Sequence, residues 1–212
     1  MKKPIASFIL LLTFSTVWSQ DYVPMKNVSD FKVKVQKTSG KVESIQSEFE
    51  QEKHLSVLSE PAKSEGSFYF ERGGKVRWEY RTPNQQSIII NDSEVYLIEE
   101  GDVQAMDNRM RRAYLQMNEV IAGVIHGDAF ANDDFSYNFL QSGNQAKVVM
   151  DPQASQMSGH IESITLFFNA DHYVDKLVIT QPGGDYTSYR FFDQTYNEPI
   201  PEQVFRPVPL KK

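Results

Sequence analysis

Lys75-Val76-Arg77-Trp78-Glu79-Tyr80-Arg81 decides how this chain folds. Apolar Val76, Trp78 and Tyr80 alternate with charged Lys75, Arg77, Glu79 and Arg81. A period of two belongs to a β-strand, whose successive side chains leave opposite faces. One face is apolar and the other charged, so the expectation is a half-buried antiparallel strand with one wet face. Gly73-Gly74 before it reads as a hairpin turn.

The same period extends in both directions. Ile45, Ser47, Phe49 and Gln51 alternate with Ser44, Gln46, Glu48 and Glu50, and Phe68 and Phe70 flank Tyr69. Residues 87–90 and 94–98 follow, separated by the tight turn Asn91-Asp92-Ser93. Further strands are predicted at 135–140, 146–150, 161–168, 173–180 and 186–192, each bounded by Gly, Pro, Asn or Asp. The spacing is near ten residues, which predicts about eleven strands in an antiparallel sheet or open barrel.

Two segments break the pattern. Ser29 before Asp30 predicts a helix N-cap, after which Phe31, Val35 and Thr38 share a face and Ser39-Gly40 closes the helix. Phe31, Val33 and Val35 also fit a strand. Between the strands, Met110, Ala113, Tyr114, Met117, Val120, Ile121 and Val124 recur at three and four, a helical stripe ended by Gly127. Arg109, Arg111, Arg112, Gln116 and Glu119 lie largely off it. A one-layer sheet cannot hide its apolar face unless it curls and a helix covers the opening. The inserted helix is therefore expected to be a lid over aromatics and methionines. Met110 and Met117 suit a surface that must re-pack. Periodicity does not separate a filled barrel from a hollow one.

Composition narrows the chemistry. The 212 residues are 40% hydrophobic and 24% charged, as a globular chain should be. A net charge of −6 argues against nucleic-acid binding. Cysteine is absent, so disulfides, thiolate chemistry and a diacyl anchor on this chain are excluded. His54, His126, His160 and His172 stand at no HxH or HExxH spacing, so no metal or cofactor is expected. No G-x-S-x-G elbow occurs, and the reading is not that of an enzyme, although paired carboxylates from distant strands leave no mark in a sequence.

The N-terminus carries an export signal. Lys2 and Lys3 precede an apolar run over 5–14, too short to span a bilayer, and Val17 and Ser19 suit cleavage after Ser19. Residues 1–19 are read as a signal peptide and 20–212 as one domain, exported to the periplasm. No ATP is expected there, and Gly73-Gly74-Lys75 is too short to be a P-loop.

From about Phe31 to Pro209 the chain resembles the LolA family of periplasmic outer-membrane lipoprotein carriers. Arg77-Trp78-Glu79-Tyr80-Arg81-Thr82-Pro83 is close to the family's R-W-x-Y-x-x-P. Ser44-Ile45-Gln46-Ser47-Glu48-Phe49-Glu50-Gln51 resembles its first strand, and Gly66-Ser67-Phe68-Tyr69-Phe70 its G-x-F-x-F strand. Asn197, Ile200-Pro201 and Phe205 resemble its N-x-x-I-P-x-x-x-F closure. The order and spacing of these pieces make the resemblance specific. It implies a mainly β fold: a half-open antiparallel β-barrel of roughly eleven strands with a helical lid over an apolar cavity for lipoprotein acyl chains.

The resemblance also implies partners and a site. Cargo would come from an inner-membrane ABC lipoprotein-releasing complex and pass to an outer-membrane acceptor that the sequence does not name. Phe68, Phe70, Trp78 and Tyr80 would form the wall, and Met110, Tyr114, Met117, Ile121 and Val124 the lid. Arg72 matches the family arginine that hydrogen-bonds to the lid and holds it closed until cargo arrives. The chain departs from better-known members in lacking proline after Arg72 and in its arginine-rich inserted helix, as a branch carrying another lipid or a lipophilic pigment would. A periplasmic sensor or scaffold on the same fold is the alternative. A monomer is expected.

Overall fold

The computed structural model describes residues 21–126, 130–153 and 159–207, without the side chains of Arg109, Ala113, Gln116, Met117, Val120 and His126. The signal-peptide reading of 1–19 and the expected stop at Gly127 lie outside the described residues. In chain order the elements are β1 (Val23–Pro24), α1 (Val28–Ser39), β2 (Ser44–His54), β3 (Ala62–Glu71), β4 (Lys75–Thr82), β5 (Gln86–Asn91), β6 (Glu94–Glu99) and β7 (Asp102–Gln104). Then come α2 (Asn108–His126), β8 (Phe135–Ser142), β9 (Gln145–Pro152), β10 (Ser163–Phe168), β11 (Val174–Thr180), β12 (Tyr186–Tyr196) and a 3₁₀ turn, Glu202–Phe205.

All twelve strands form one antiparallel sheet in the order β1-β8-β9-β10-β11-β12-β2-β3-β4-β5-β6-β7. This is the half-open barrel of the sequence reading, with one strand more than expected. β1 and β7, at two and three residues, are too short to show a period. The sheet is not closed: β1 and β7 are its two edges. Because α2 follows β7 and precedes β8, next to the other edge, the connection must cross the open side. α2 packs against α1 and β6.

Local chemistry explains each helix. α1 is capped by Asn27, whose side-chain oxygen accepts the Asp30 N–H, and not by Ser29. A cap bonds an N–H up to three residues on, and that geometry places the start two residues earlier than expected. Phe31 and Val35, four apart, are buried, and the Phe31 ring lies 5.2 Å from Phe168 on the concave face. At the start of α2, the Asp107 carboxylate accepts the Met110 N–H at 2.7 Å.

The concave face holds the main core. Register pairs Phe68 with Trp78 and Phe70 with Val76 across β3 and β4, and Trp78 with Ile88 across β4 and β5. All of these are buried, as the alternation predicts. The charged face of β4 departs from the expectation. Arg77 is 1% exposed. The 3₁₀ turn lies over the convex side there, burying Ile200, Val204 and Phe205 against Tyr69. Arg77 donates to the Val204 carbonyl at 3.1 Å, to Ser87 Oγ at 2.9 Å and to Glu79 at 2.9 Å. A buried guanidinium is tolerable only with its donors satisfied in this way. A strand's period cannot foresee cover arriving from the distant C-terminus.

Gly66 shows how tightly the strands pack. It stands opposite Phe49 on β2 and Tyr80 on β4, and the Phe49 ring lies over it. An added Cβ would lie 2.7 Å from Phe49 Cζ and press on the Glu79 carbonyl oxygen. Phe49 cannot yield, since it is fully buried between Trp78 and Tyr80. Gly66→Ala is expected to cost about 3 kcal/mol, the upper end of ordinary overpacking. Urea unfolding measures this; an unchanged midpoint would mean that the strands part easily at this point.

Candidate functional site

The concave sheet and α2 enclose an apolar cavity of about 60 Å³. Its floor includes Phe68 from β3, Leu166 from β10, Leu177 from β11 and Phe191 from β12; its roof is Ile121, Val124 and Ile125 from α2. The roof residues fall at three and four, so one stripe of α2 meets the sheet. The volume is well below the roughly 300–1,000 Å³ of a typical ligand site. The side chains of lid and floor therefore fill most of the space between them, and a chain-like ligand would have to displace α2.

Behind the floor stands an aromatic wall. Trp78, 2% exposed, has its ring 4.6 Å from Phe68, 5.2 Å from Phe49, 5.0 Å from Tyr189 and 5.9 Å from Phe191. Phe70, also buried, lies on the same face beside Ile45 and Val76. Tyr80 packs edge-on to Phe49, and Tyr189 packs against both Phe49 and Trp78. Burial raises the pKa of both phenols, and of Tyr114 on α2, so all three are neutral donors across the physiological range.

Of the residues expected on the lid, Ile121 and Val124 line the cavity and Tyr114 packs against the core. Met110 does not: it is 44% exposed. It belongs to the first turn of α2, before the helix has crossed over the concave face. The side chain of Met117 lies outside the described residues. Leu166, Val174, Leu177, Phe191 and Gln194 line the cavity without having been singled out from the sequence. Leu166, Leu177 and Phe191 follow strand alternation, whereas Val174 and Gln194 reach the concave face through register shifts in β11 and β12, which a regular period does not foresee.

Arg72 follows β3 and reaches the end of α1. Its Nε and Nη2 donate to the Val42 carbonyl at 3.0 and 2.7 Å, and Nη2 to the Ser39 carbonyl at 3.4 Å. Nε also lies 3.2 Å from the Glu43 carboxylate, while the Arg72 N–H donates to the Glu43 carbonyl at 2.8 Å. A cation at a helix C-terminus meets both unpaired carbonyls and the negative end of the dipole. The helix it clamps is α1. The lid contact that the resemblance implies is thus made, among the described residues, to α1 and not to the inserted helix. α1 packs in turn against α2.

A family model described as "Outer membrane lipoprotein carrier protein LolA" matches residues 40–208. An outer-membrane lipoprotein carrier protein of Pseudomonas paraeruginosa is 25% identical over 145 residues, covering 66% of this chain and 65% of that one. The match thus spans just under two thirds of the relative's length. Among solved structures, a DUF1329 family protein from Desulfovibrio piger is 10% identical with a TM-score of 0.48, covering 84% of this chain and 95% of that one. A LolA superfamily protein from Nitrosomonas europaea is 8% identical with a TM-score of 0.43, covering 84% and 96%. No helix among the described residues is long and apolar enough to cross a membrane.

Trp78 offers a direct readout of the cavity. In protein produced without residues 1–19, it is the only tryptophan. Its burial against Phe68 and Phe191, both floor residues, predicts blue emission that shifts when an acyl ligand enters. Titration with a fatty acid checks this; a spectrum indifferent to saturating ligand would separate the wall from the binding space.

Proposed function

The chain belongs to the LolA family, and on that footing we propose that it is a carrier that takes the acyl chains of outer-membrane lipoproteins beneath α2 and moves them through the periplasm. The observation that supports this most is the apolar cavity between the stripe of α2 and the aromatic floor of a half-open sheet. Such a surface binds by burial and requires no covalent step. Each methylene removed from water contributes about 0.8 kcal/mol, so a few methylenes offset the cost of parting α2 from the floor. In this reading the supplier is an inner-membrane ABC complex, the receiver an outer-membrane acceptor, and the carrier a monomer after export and removal of residues 1–19.

A carrier must also release its cargo. Contacts that favour the cargo-free form oppose binding and promote release. Arg72 supplies such contacts, because its guanidinium holds the α1–β2 junction and α1 supports α2. Partly exposed, these bonds are worth roughly 1–3 kcal/mol in total. Native mass spectrometry of protein purified from the periplasm tests the reading as a whole. Co-purified acylated cargo supports a carrier, whereas a ligand-free chain holding a stable protein partner would favour a sensor or scaffold.

Arg72→Leu is expected to loosen the cargo-free form. The variant should hold acyl cargo roughly 5- to 150-fold more tightly and pass it on poorly, following the free energy above. Transfer of a labelled lipoprotein from purified carrier to outer-membrane vesicles is the measurement. Loading and unloading at parental rates would reduce Arg72 to a support of the α1–β2 junction.

A further inference from the structure

Three buried side-chain atoms have no hydrogen-bond partner among the described residues: Gln51 Oε1, Trp78 Nε1 and Asn118 Oδ1. Their residues are 8%, 2% and 9% exposed. Native proteins seldom leave buried polar groups unpaired, and each such group calls for a reason. Here the three belong to one region. Gln51 on β2 lies directly across from Tyr189 on β12, and the Tyr189 ring is tilted against Trp78 with the ring centroids 5.0 Å apart. Tyr114 on α2 packs against the same apolar core as Trp78, Tyr80 and Tyr189. Asn118 is one helical turn beyond Tyr114 and three residues before the cavity residue Ile121. Trp78 in turn touches Phe68 and Phe191, which line the same cavity.

Beside the apolar cavity, next to its lining and not part of it, stand polar atoms contributed by both the sheet and α2. Their chemistry is specific. An indole offers only a donor, whereas the two free amide oxygens only accept. A saturated chain satisfies none of them. A group carrying both an acceptor and an N–H satisfies the donor and an acceptor together.

We propose that this margin is a head-group subsite that selects acyl chains joined through an amide over chains joined through an ester. The amide carbonyl accepts from Trp78 Nε1, and the amide N–H donates to Gln51 Oε1 or Asn118 Oδ1. An ester of the same shape accepts from Trp78 but leaves both side-chain oxygens unpaired. Sites built to hydrogen-bond a ligand N–H reject the analogue that lacks it more strongly than apolar pockets reject a changed chain length. The proposal rests on the carrier reading and adds the linkage chemistry of the cargo.

The test uses N-methyl oleamide and methyl oleate, which differ only in N–H against O, each competing with a fluorescent fatty-acid probe for the full exported chain. The parent is expected to bind the amide at least tenfold more tightly, although the amide is the costlier group to remove from water. Gln51→Leu or Asn118→Leu, whichever removes the oxygen that accepts the amide N–H, should bring the ratio toward one while leaving ester affinity within about twofold. Equal affinities in the parent, or a preference that persists in both variants, would overturn the subsite while leaving the carrier reading intact. If the parent binds neither compound nor the probe, both readings fail.

Discussion

A single-layer sheet has two faces, and neither can be left apolar in water. In this protein the need to cover both faces sets the placement of everything that is not a strand. On the concave side the cover is α1 and α2; on the convex side of β4 and β5 it is the C-terminal 3₁₀ turn. The position of α2 follows from connectivity, since it joins β7 at one edge to β8 beside the other and must cross the mouth. A lid over the concavity is thus built into the strand order.

Two arginines on neighbouring segments secure these covers. Arg72 binds carbonyls at the end of α1, and Arg77 binds the carbonyl of Val204 in the 3₁₀ turn. Both use a rigid fork of donors that suits backbone oxygens left open where helices and turns end. Their surroundings differ in a way that bears on function. Arg77 is wholly enclosed and bonded on several sides, as befits a permanent fixture. Arg72 is about a third exposed and sits at a helix end, where a contact can be broken and remade. The small cavity fits the same picture: lid and floor nearly fill one another, and cargo would take the place of contacts already made.

Much of this was legible in the chain. The alternation through Val76, Trp78 and Tyr80 marks a strand and its inward face, and the stripe through Tyr114, Ile121 and Val124 marks the helix that covers it. Motifs such as Arg77-Trp78-Glu79-Tyr80 carried the family, and with it the half-open sheet. Met110, in contrast, continues the stripe by spacing yet lies exposed, because a stripe says which side of a helix is apolar and not how far the partner surface extends.

The sequence by itself determined the kind of element at each stretch and the face each would bury, because both depend on neighbours two to four residues away. The tertiary structure alone decided which faces meet. Arg77 reads as a wet residue until Val204 arrives from the far end of the chain. Phe191 and Leu177 become floor only when β12 pairs with β2, and the same pairing sets Tyr189 beside Gln51. Gln51 and Asn118 look like ordinary polar residues in an alternating strand and an amphipathic helix. Among the described residues their oxygens are unpaired because long-range packing withdraws water from them without supplying a partner.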